Sequence, residues 1–270
     1  MKTVAVPVGK NTLRGRIWEG GPQLLLAFHG YSNNSSIFSG LAQKMLPQFT
    51  TVALDLPGHG STDWDEKETL DGPELRKIVT DLCAEHGVEK LSLLGFSLGG
   101  RVALGTLRAV PEKIQSVTLL APDGLKTHPL LAYTNDSRAG IFLLDDVHKN
   151  PARYGKLLAS LRRRNVLTEN LYQFFNYHLS QTAYNTMLRT SWQALRKLYP
   201  KPAQLRKVFA QYDIPVHLLM GIHDPVIPLR NGEYFAGLFP RNVTLHKIRK
   251  GHRLMTDDVY PEIVKTLLQP

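Results

Sequence analysis

"LLGFSLGGR", Leu93 to Arg101, places one serine in a frame of glycines at the end of an apolar run. Widened to "VEKLSLLGFSLGGRVALGTLRAVP", Val88 to Pro111, it reads as a strand, a sharp turn and a helix closed by Pro111. "GFSLG" fits G-x-S-x-G in the strand-to-helix setting that this pattern needs to carry a nucleophile. The glycines have a steric reason. The serine of such an elbow sits in a strained backbone conformation, and its neighbours two positions away must lack side chains for the turn to close. Its oxygen is then presented at the carboxyl edge of a sheet, near the amino end of the helix beginning around Leu98, where free amides favour negative charge. Read alone, the same residues also describe a glycine-rich turn with a surface serine.

The flanking segments repeat the alternation of strand and helix. "QLLLAF", Gln23 to Phe28, is a short continuous apolar run of the kind expected in a strand buried on both faces, and "TTVALDLPGHG" follows as strand and turn. "DGPELRKIVTDLCAEHG" has Asp71 as N-cap with Glu74 three residues on, apolar residues at helical spacing and Gly87 as a stop. "IQSVTLLAP", "IPVHLLMGIHDPVIP" and "NVTLHKIRKGH" supply later strands, and "DDVYPEIVKTLL" a terminal helix. The pattern predicts an α/β fold with a mostly parallel central sheet covered by helices on both faces. Residues 123–212 break it with two helical stretches and no convincing strand. They are expected to form a helical cap inserted between the two parts of the core, 1–122 and 213–270.

Length and composition bound the rest. With 270 residues, 43% hydrophobic and 21% charged, the chain suits one large α/β domain carrying an insertion. No window approaches the run of about 18 apolar residues that a membrane span requires. The first residues lack the apolar stretch of a signal peptide, so a cytoplasmic location is expected. A single cysteine, Cys83, excludes an internal disulfide and reads as a small buried residue on a helix. The net charge of +10 is concentrated: residues 122–212 hold 14 Lys and Arg against 5 Asp and Glu, and the remainder hold 19 against 18.

A nucleophilic serine needs a base and an acid that orients it. Asp224 lies just past one strand end and His252 just past the next, at the same sheet edge as Ser97. Each alone has a plainer reading, Asp224 as a turn former before Pro225 and His252 as a solvated loop histidine. Here the chain resembles the α/β-hydrolase superfamily over essentially its whole length, where the chain order is serine, acid, histidine. "FHGYSNNSSIF" is similar to its HG loop, "LDLPGHGSTD" to its D-x-P-G-x-G-x-S segment, "GFSLGG" to its elbow, "GIHDPVIP" to its acid loop and "KGHRLM" to its histidine loop. The resemblance implies an oxyanion hole made by the backbone amides of Tyr31 and Leu98. It implies that His29 braces the HG loop, with substrate contact as the lesser alternative, and that His59 is structural. The histidines are scattered, without H-x-x-x-H spacing, so no metal and no cofactor is expected.

Two reactions fit these residues. Ester or thioester hydrolysis of a small molecule is the default for such a triad. "GFSLGGR" is also similar to the elbow of the menaquinone-pathway 2-succinyl-6-hydroxy-2,4-cyclohexadiene-1-carboxylate synthases, in which a triad drives pyruvate elimination. That family usually has Tyr where this chain has Phe96. Arg101, one helical turn beyond Ser97, either reaches a ligand carboxylate or makes a salt bridge beneath the cap. A non-catalytic ligand-binding protein on the same fold is a third possibility. The basic residues of the cap, among them Arg138, Arg153, Lys156, Arg162, Arg163, Arg164, Arg189, Arg196, Lys197, Arg206 and Lys207, either attract an anionic substrate or form a solvated face. The interleaved Tyr172, Phe174, Phe175, Tyr177, Tyr184, Trp192 and Tyr199 suit the cap interior and pocket roof. No nucleic-acid motif accompanies the charge, and the oligomeric state is not legible.

Overall fold

The computed structural model describes residues 1–126, 138–164, 166, 169–180, 182–199 and 201–269. Its strands are β1 (Lys2–Val8), β2 (Asn11–Trp18), β3 (Gln23–Phe28), β4 (Phe49–Leu54), β5 (Leu91–Phe96), β6 (Ile114–Leu120), β7 (Val216–Gly221) and β8 (Val243–Ile248). They form one sheet in the order β1-β2-β4-β3-β5-β6-β7-β8. Every pairing from β4 across to β8 is parallel, and β1 and β2 add an antiparallel edge. All residues of β5 and β7 are buried, as continuous apolar runs in the middle of a doubly covered sheet should be.

The helices are α1 (Ser39–Met45), α2 (Gly72–Glu85), α3 (Leu98–Ala109), α4 (Arg138–Lys149), α5 (Pro151–Arg163), α6 (Glu169–Ser180), α7 (Thr182–Leu195), α8 (Pro202–Gln211), α9 (Leu229–Leu238) and α10 (Tyr260–Leu267). Two apolar cores result. One face of the sheet packs on residues of α2, α3, α8 and α9, among them Leu75, Val102, Leu205 and Phe235. The other packs on α1 and α10, through Leu41, Met45, Ile263 and Leu267. The cap of α2 is as the spacing predicts: Glu74 accepts from the Asp71 N–H at 3.3 Å in a capping box, and Gly87 takes φ +64° beyond the helix. Cys83 is buried on this helix, and burial raises its thiol pKa.

The hairpin of β1 and β2 is not announced by the alternation of strand and helix elsewhere. It rests on a two-residue turn whose first position, Gly9, has φ +58°, the left-handed conformation that such turns demand. Between β6 and β7 the described residues form α4 to α8 and contain no strand. The later part of this span does not stand apart from the core: Ala194, Leu195, Leu198, Leu205 and Val208 share the apolar cluster that includes α2 and α3. Among the described residues no helix is long and apolar enough to cross a membrane.

Candidate active site

The turn from β5 into α3 carries the strain that its glycines were expected to permit. Ser97 has φ 50° and ψ −115°. A Cβ on Gly99 would meet the Phe28 carbonyl oxygen at 1.9 Å, one on Gly95 the Gly100 Cα at 2.6 Å, and one on Gly100 the Pro122 Cβ at 2.2 Å. Only glycine fits at all three positions. Leu98 opens α3, so its N–H has no acceptor within the helix. The Ser97 carbonyl accepts from the Gly100 N–H at 2.9 Å and from the Asp123 N–H at 2.8 Å, which ties the elbow to the end of β6.

Asp224 and His252 reach this edge from the loops after β7 and β8. A Cβ on Gly221 would lie 2.3 Å from the Gly251 carbonyl oxygen, so the two loops approach this closely because position 221 has no side chain. The Asp224 side chain is fully buried. Its Oδ1 accepts from the N–H groups of Val226 and Ile227 at 2.8 and 2.9 Å, and its Oδ2 lies 2.7 Å from His252 Nδ1. With Nδ1–H donating to that carboxylate, His252 Nε2 is the acceptor for the Ser97 hydroxyl at 3.0 Å. A carboxylate held by two amides thus orients an imidazole against a strained serine. This is a geometry for withdrawing a proton from Ser97.

The HG loop closes the site from the side of β3. A Cβ on Gly30 would stand 3.0 Å from the Phe96 ring and 3.1 Å from Ser97 Cβ, so the loop backbone lies against the elbow at this residue, one before Tyr31. His29 is completely buried. Its Nδ1–H donates to the Gly30 carbonyl at 2.7 Å and its Nε2 accepts from the Leu56 N–H at 3.0 Å. Both nitrogens are therefore committed to bracing the loop. Burial first, then the neighbouring His59, push the His29 pKa down to about 3. His59 repeats the device, accepting from the Ser32 N–H at 3.1 Å and donating to the Pro57 carbonyl at 3.1 Å. Ser32 itself has φ 57°.

Asp55 is the centre of this bracing and a residue that spacing alone did not single out. Its carboxylate accepts from the N–H groups of Ser35 at 2.6 Å and Ser61 at 2.9 Å. Burial raises its pKa, and these donors outweigh burial and lower it. Its signals in the sequence are its place at a strand end and its match to the aspartate of the D-x-P-G-x-G-x-S segment in "LDLPGHGSTD".

Arg101 does not point at an open site. It is buried, ion-paired with Asp123, hydrogen-bonded to the Tyr199 hydroxyl at 3.1 Å, and stacked 4.1 Å from the centre of the Tyr199 ring. Burial disfavours its charge, and Asp123 with Tyr199 offsets this and raises its pKa. Phe96 is buried with its ring 5.5 Å from that of His252, so it packs against that imidazole. His223 is exposed beside Asp224. Among the basic residues, Arg189 pairs with Glu66 and Asp145, Lys197 with Asp71, and Arg162 with Glu169. The side chains of Arg138, Phe174, Phe175 and Tyr184 lie outside the described residues.

The α/β hydrolase fold family matches residues 23–257. A Mesorhizobium japonicum protein named as a 2-(acetamidomethylene)succinate hydrolase is 32% identical over 146 residues, which cover 53% of this chain and 51% of that protein. The match thus spans about half the length of that relative. A pimeloyl-[acyl-carrier protein] methyl ester esterase of Neisseria meningitidis is 25% identical over 242 residues, covering 84% of this chain and 67% of its own. A thermophilic esterase from Thermogutta terrifontis superposes with a TM-score of 0.65 at 16% identity, over 100% of this chain and 97% of that one, a likeness of fold. The parallel sheet, the strained elbow and the family match over most of the chain agree: this protein belongs to the α/β hydrolase family of enzymes.

Proposed function

We propose that this protein is a serine hydrolase that cleaves a carboxylic ester or thioester of a small molecule through an acyl-enzyme on Ser97. The observation that carries the reading is the unbroken chain from Ser97 Oγ through His252 to the amide-held carboxylate of Asp224. In this mechanism His252 takes the hydroxyl proton as Ser97 Oγ attacks the acyl carbon. The backbone amides of Leu98 and Tyr31 hold the oxyanion, and Asp224 stabilises the imidazolium. His252 then protonates the leaving group, whose departure leaves the acyl-enzyme. Water, activated by the same imidazole, releases the acid and restores Ser97. The names of relatives favour ester chemistry, two of them being pimeloyl-[acyl-carrier protein] methyl ester esterases. Residues 123–212 serve as the cap in this reading, since they leave the sheet at the end of β6, on the edge that carries Ser97, before the chain returns to the start of β7.

The lyase alternative draws on Arg101 as a ligand for a substrate carboxylate and on a hydroxyl at the position of Phe96. Arg101 is occupied by Asp123 and Tyr199, and Phe96 has no hydroxyl to offer, so no observation at the site favours it. A fluorophosphonate probe tests the hydrolase reading. It is expected to label the wild type and to miss Ser97→Ala, and p-nitrophenyl acetate is expected to be hydrolysed by the first and not the second. Folded wild-type protein that neither labels nor hydrolyses would overturn the proposal.

A further inference from the structure

The charge of the molecule is polarised: the insertion carries a net +9 and all other residues together +1. Helix α5 concentrates it. Arg153, Lys156, Leu157, Arg163 and Arg164 lie within one stripe of that helix and its C-cap at 100° per residue, and all five are exposed. Tyr154, Leu158 and Leu161, on the adjoining side of the helix, are partly buried, so the basic stripe is the more exposed of the two. Lys156, Arg163 and Arg164 have no acidic partner among the described residues. Apolar groups stand in and beside the stripe: Leu157 is 50% exposed, Val166 just past the helix 68%, and Phe142 on α4 73%. Phe142 and Asp146 are four residues apart on α4, and Asp146, which accepts from the Tyr154 hydroxyl at 2.6 Å and lies 3.5 Å from Arg153, sets that side of α4 beside α5.

We infer that this outer face of α4 and α5 docks on an anionic lipid surface. The surface potential of such a membrane attracts a cluster of basic side chains, and exposed leucine, valine and phenylalanine add a shallow apolar contact. Two weak signals together give reversible binding where either alone gives little. Isolated cations would serve any polyanion. Aliphatic and aromatic side chains exposed among them suit the boundary between headgroup and acyl chain, and for this reason the lipid surface is favoured over nucleic acid or an acidic protein. The inference is independent of what Ser97 does, and its test needs no turnover.

The experiment is sedimentation of the full chain with vesicles of phosphatidylcholine alone or mixed with phosphatidylglycerol, at low and high salt. Binding is expected to the mixed vesicles only and to weaken with salt. Arg164→Gln should lower the partition coefficient about fivefold, in keeping with one basic residue near an anionic surface. Leu157→Ser should also lower it, whereas Lys10→Gln, the same charge change on the β1–β2 turn, should not. Unchanged circular dichroism and Tm show that the variants are folded. Absence of binding to mixed vesicles overturns the proposal, as does a Lys10→Gln loss equal to that of Arg164→Gln, which would reduce the effect to net charge. Binding that ignores Leu157→Ser, matched by equal retention on polyglutamate, would instead assign the face to an acidic protein.

Discussion

Arg101 and Asp123 are ion-paired within one helical turn of Ser97, and the backbone N–H of Asp123 donates to the Ser97 carbonyl at 2.8 Å. The pair ties the first turn of α3 to the end of β6 around the elbow. Tyr199, stacked on the guanidinium, brings the end of the helical insertion into the same cluster. Removing one member of a buried pair leaves the other uncompensated, at a cost of about 3–5 kcal/mol. Arg101→Met should fall at the lower end of that range, because the Asp123 side chain is 28% exposed and water can still reach it. Urea denaturation measures this. Arg101→Lys should recover only part of the loss, since an ammonium cannot reproduce the planar stack on Tyr199. Stability unchanged in Arg101→Met would show that the cluster holds nothing.

The acid tests the proposed chemistry more finely than the nucleophile does. Asp224→Asn keeps the shape of the loop but loses the acceptor for His252 Nδ1–H, so the imidazole can settle in the wrong tautomer. In triads of this kind the change lowers kcat by about 10⁴ with little effect on ground-state binding. Steady-state hydrolysis of p-nitrophenyl esters by Asp224→Asn checks it. A loss below tenfold would mean that Asp224 is only a turn residue.

Two glycine substitutions should separate folding from catalysis. Gly99→Ala drives a methyl into the backbone of β3, where the Phe28 carbonyl oxygen would be 1.9 Å away, and backbone cannot yield as a side chain can. It should destabilise the protein by at least the roughly 1–3 kcal/mol typical of overpacking. Gly30→Ala meets the Phe96 ring and Ser97 Cβ at 3.0 and 3.1 Å, distances that small shifts relieve. Its thermal midpoint should change little while kcat falls, because the shift moves the HG loop relative to the nucleophile. Equal effects on both quantities in both variants would remove the distinction.

Acid should weaken the fold through His29. Its pKa is about 3 in the native protein against 6.5 for the free side chain, so between those values the unfolded chain binds a proton that the native one refuses. Stability is complete above about pH 6.5 and is lost as pH falls towards 3, by up to about 1.4 kcal/mol per unit from this one group. His59, also buried and lowered, adds to the slope. Urea midpoints measured from pH 7 to pH 4 should decline for the wild type and more gently for His29→Asn, which starts from a lower stability. Parallel slopes would mean that other groups govern the acid limb.

Much of the site was legible because its determinants are local. Gly95, Gly99 and Gly100 are demanded by one turn, and a turn is written in consecutive residues. Asp224 and His252 each close a strand, and strand ends can be found from apolar runs. What escaped lies in contacts between distant segments. Arg101 could be placed one turn from Ser97, but its partner Asp123 and its stacking partner Tyr199 follow from packing that no periodicity encodes. Asp55 organises loops that begin at Ser35 and Ser61, one far before it and one just after. The β1–β2 hairpin was missed for another reason: its residues alternate in burial at an edge, and the parallel strands elsewhere do not.

The seam between insertion and core runs through side chains that serve both. Ser191 donates to the Pro57 carbonyl at 3.0 Å beside His59, Thr190 donates to Glu66 at 3.1 Å, and Leu195 and Leu198 fill the main apolar core. An exchange of residues 123–212 between relatives would carry off part of the scaffold supporting the HG loop. A chimaera joined upstream of Met187 would leave those supports in place and transplant only the outer helices, making that point the natural splice for recombination.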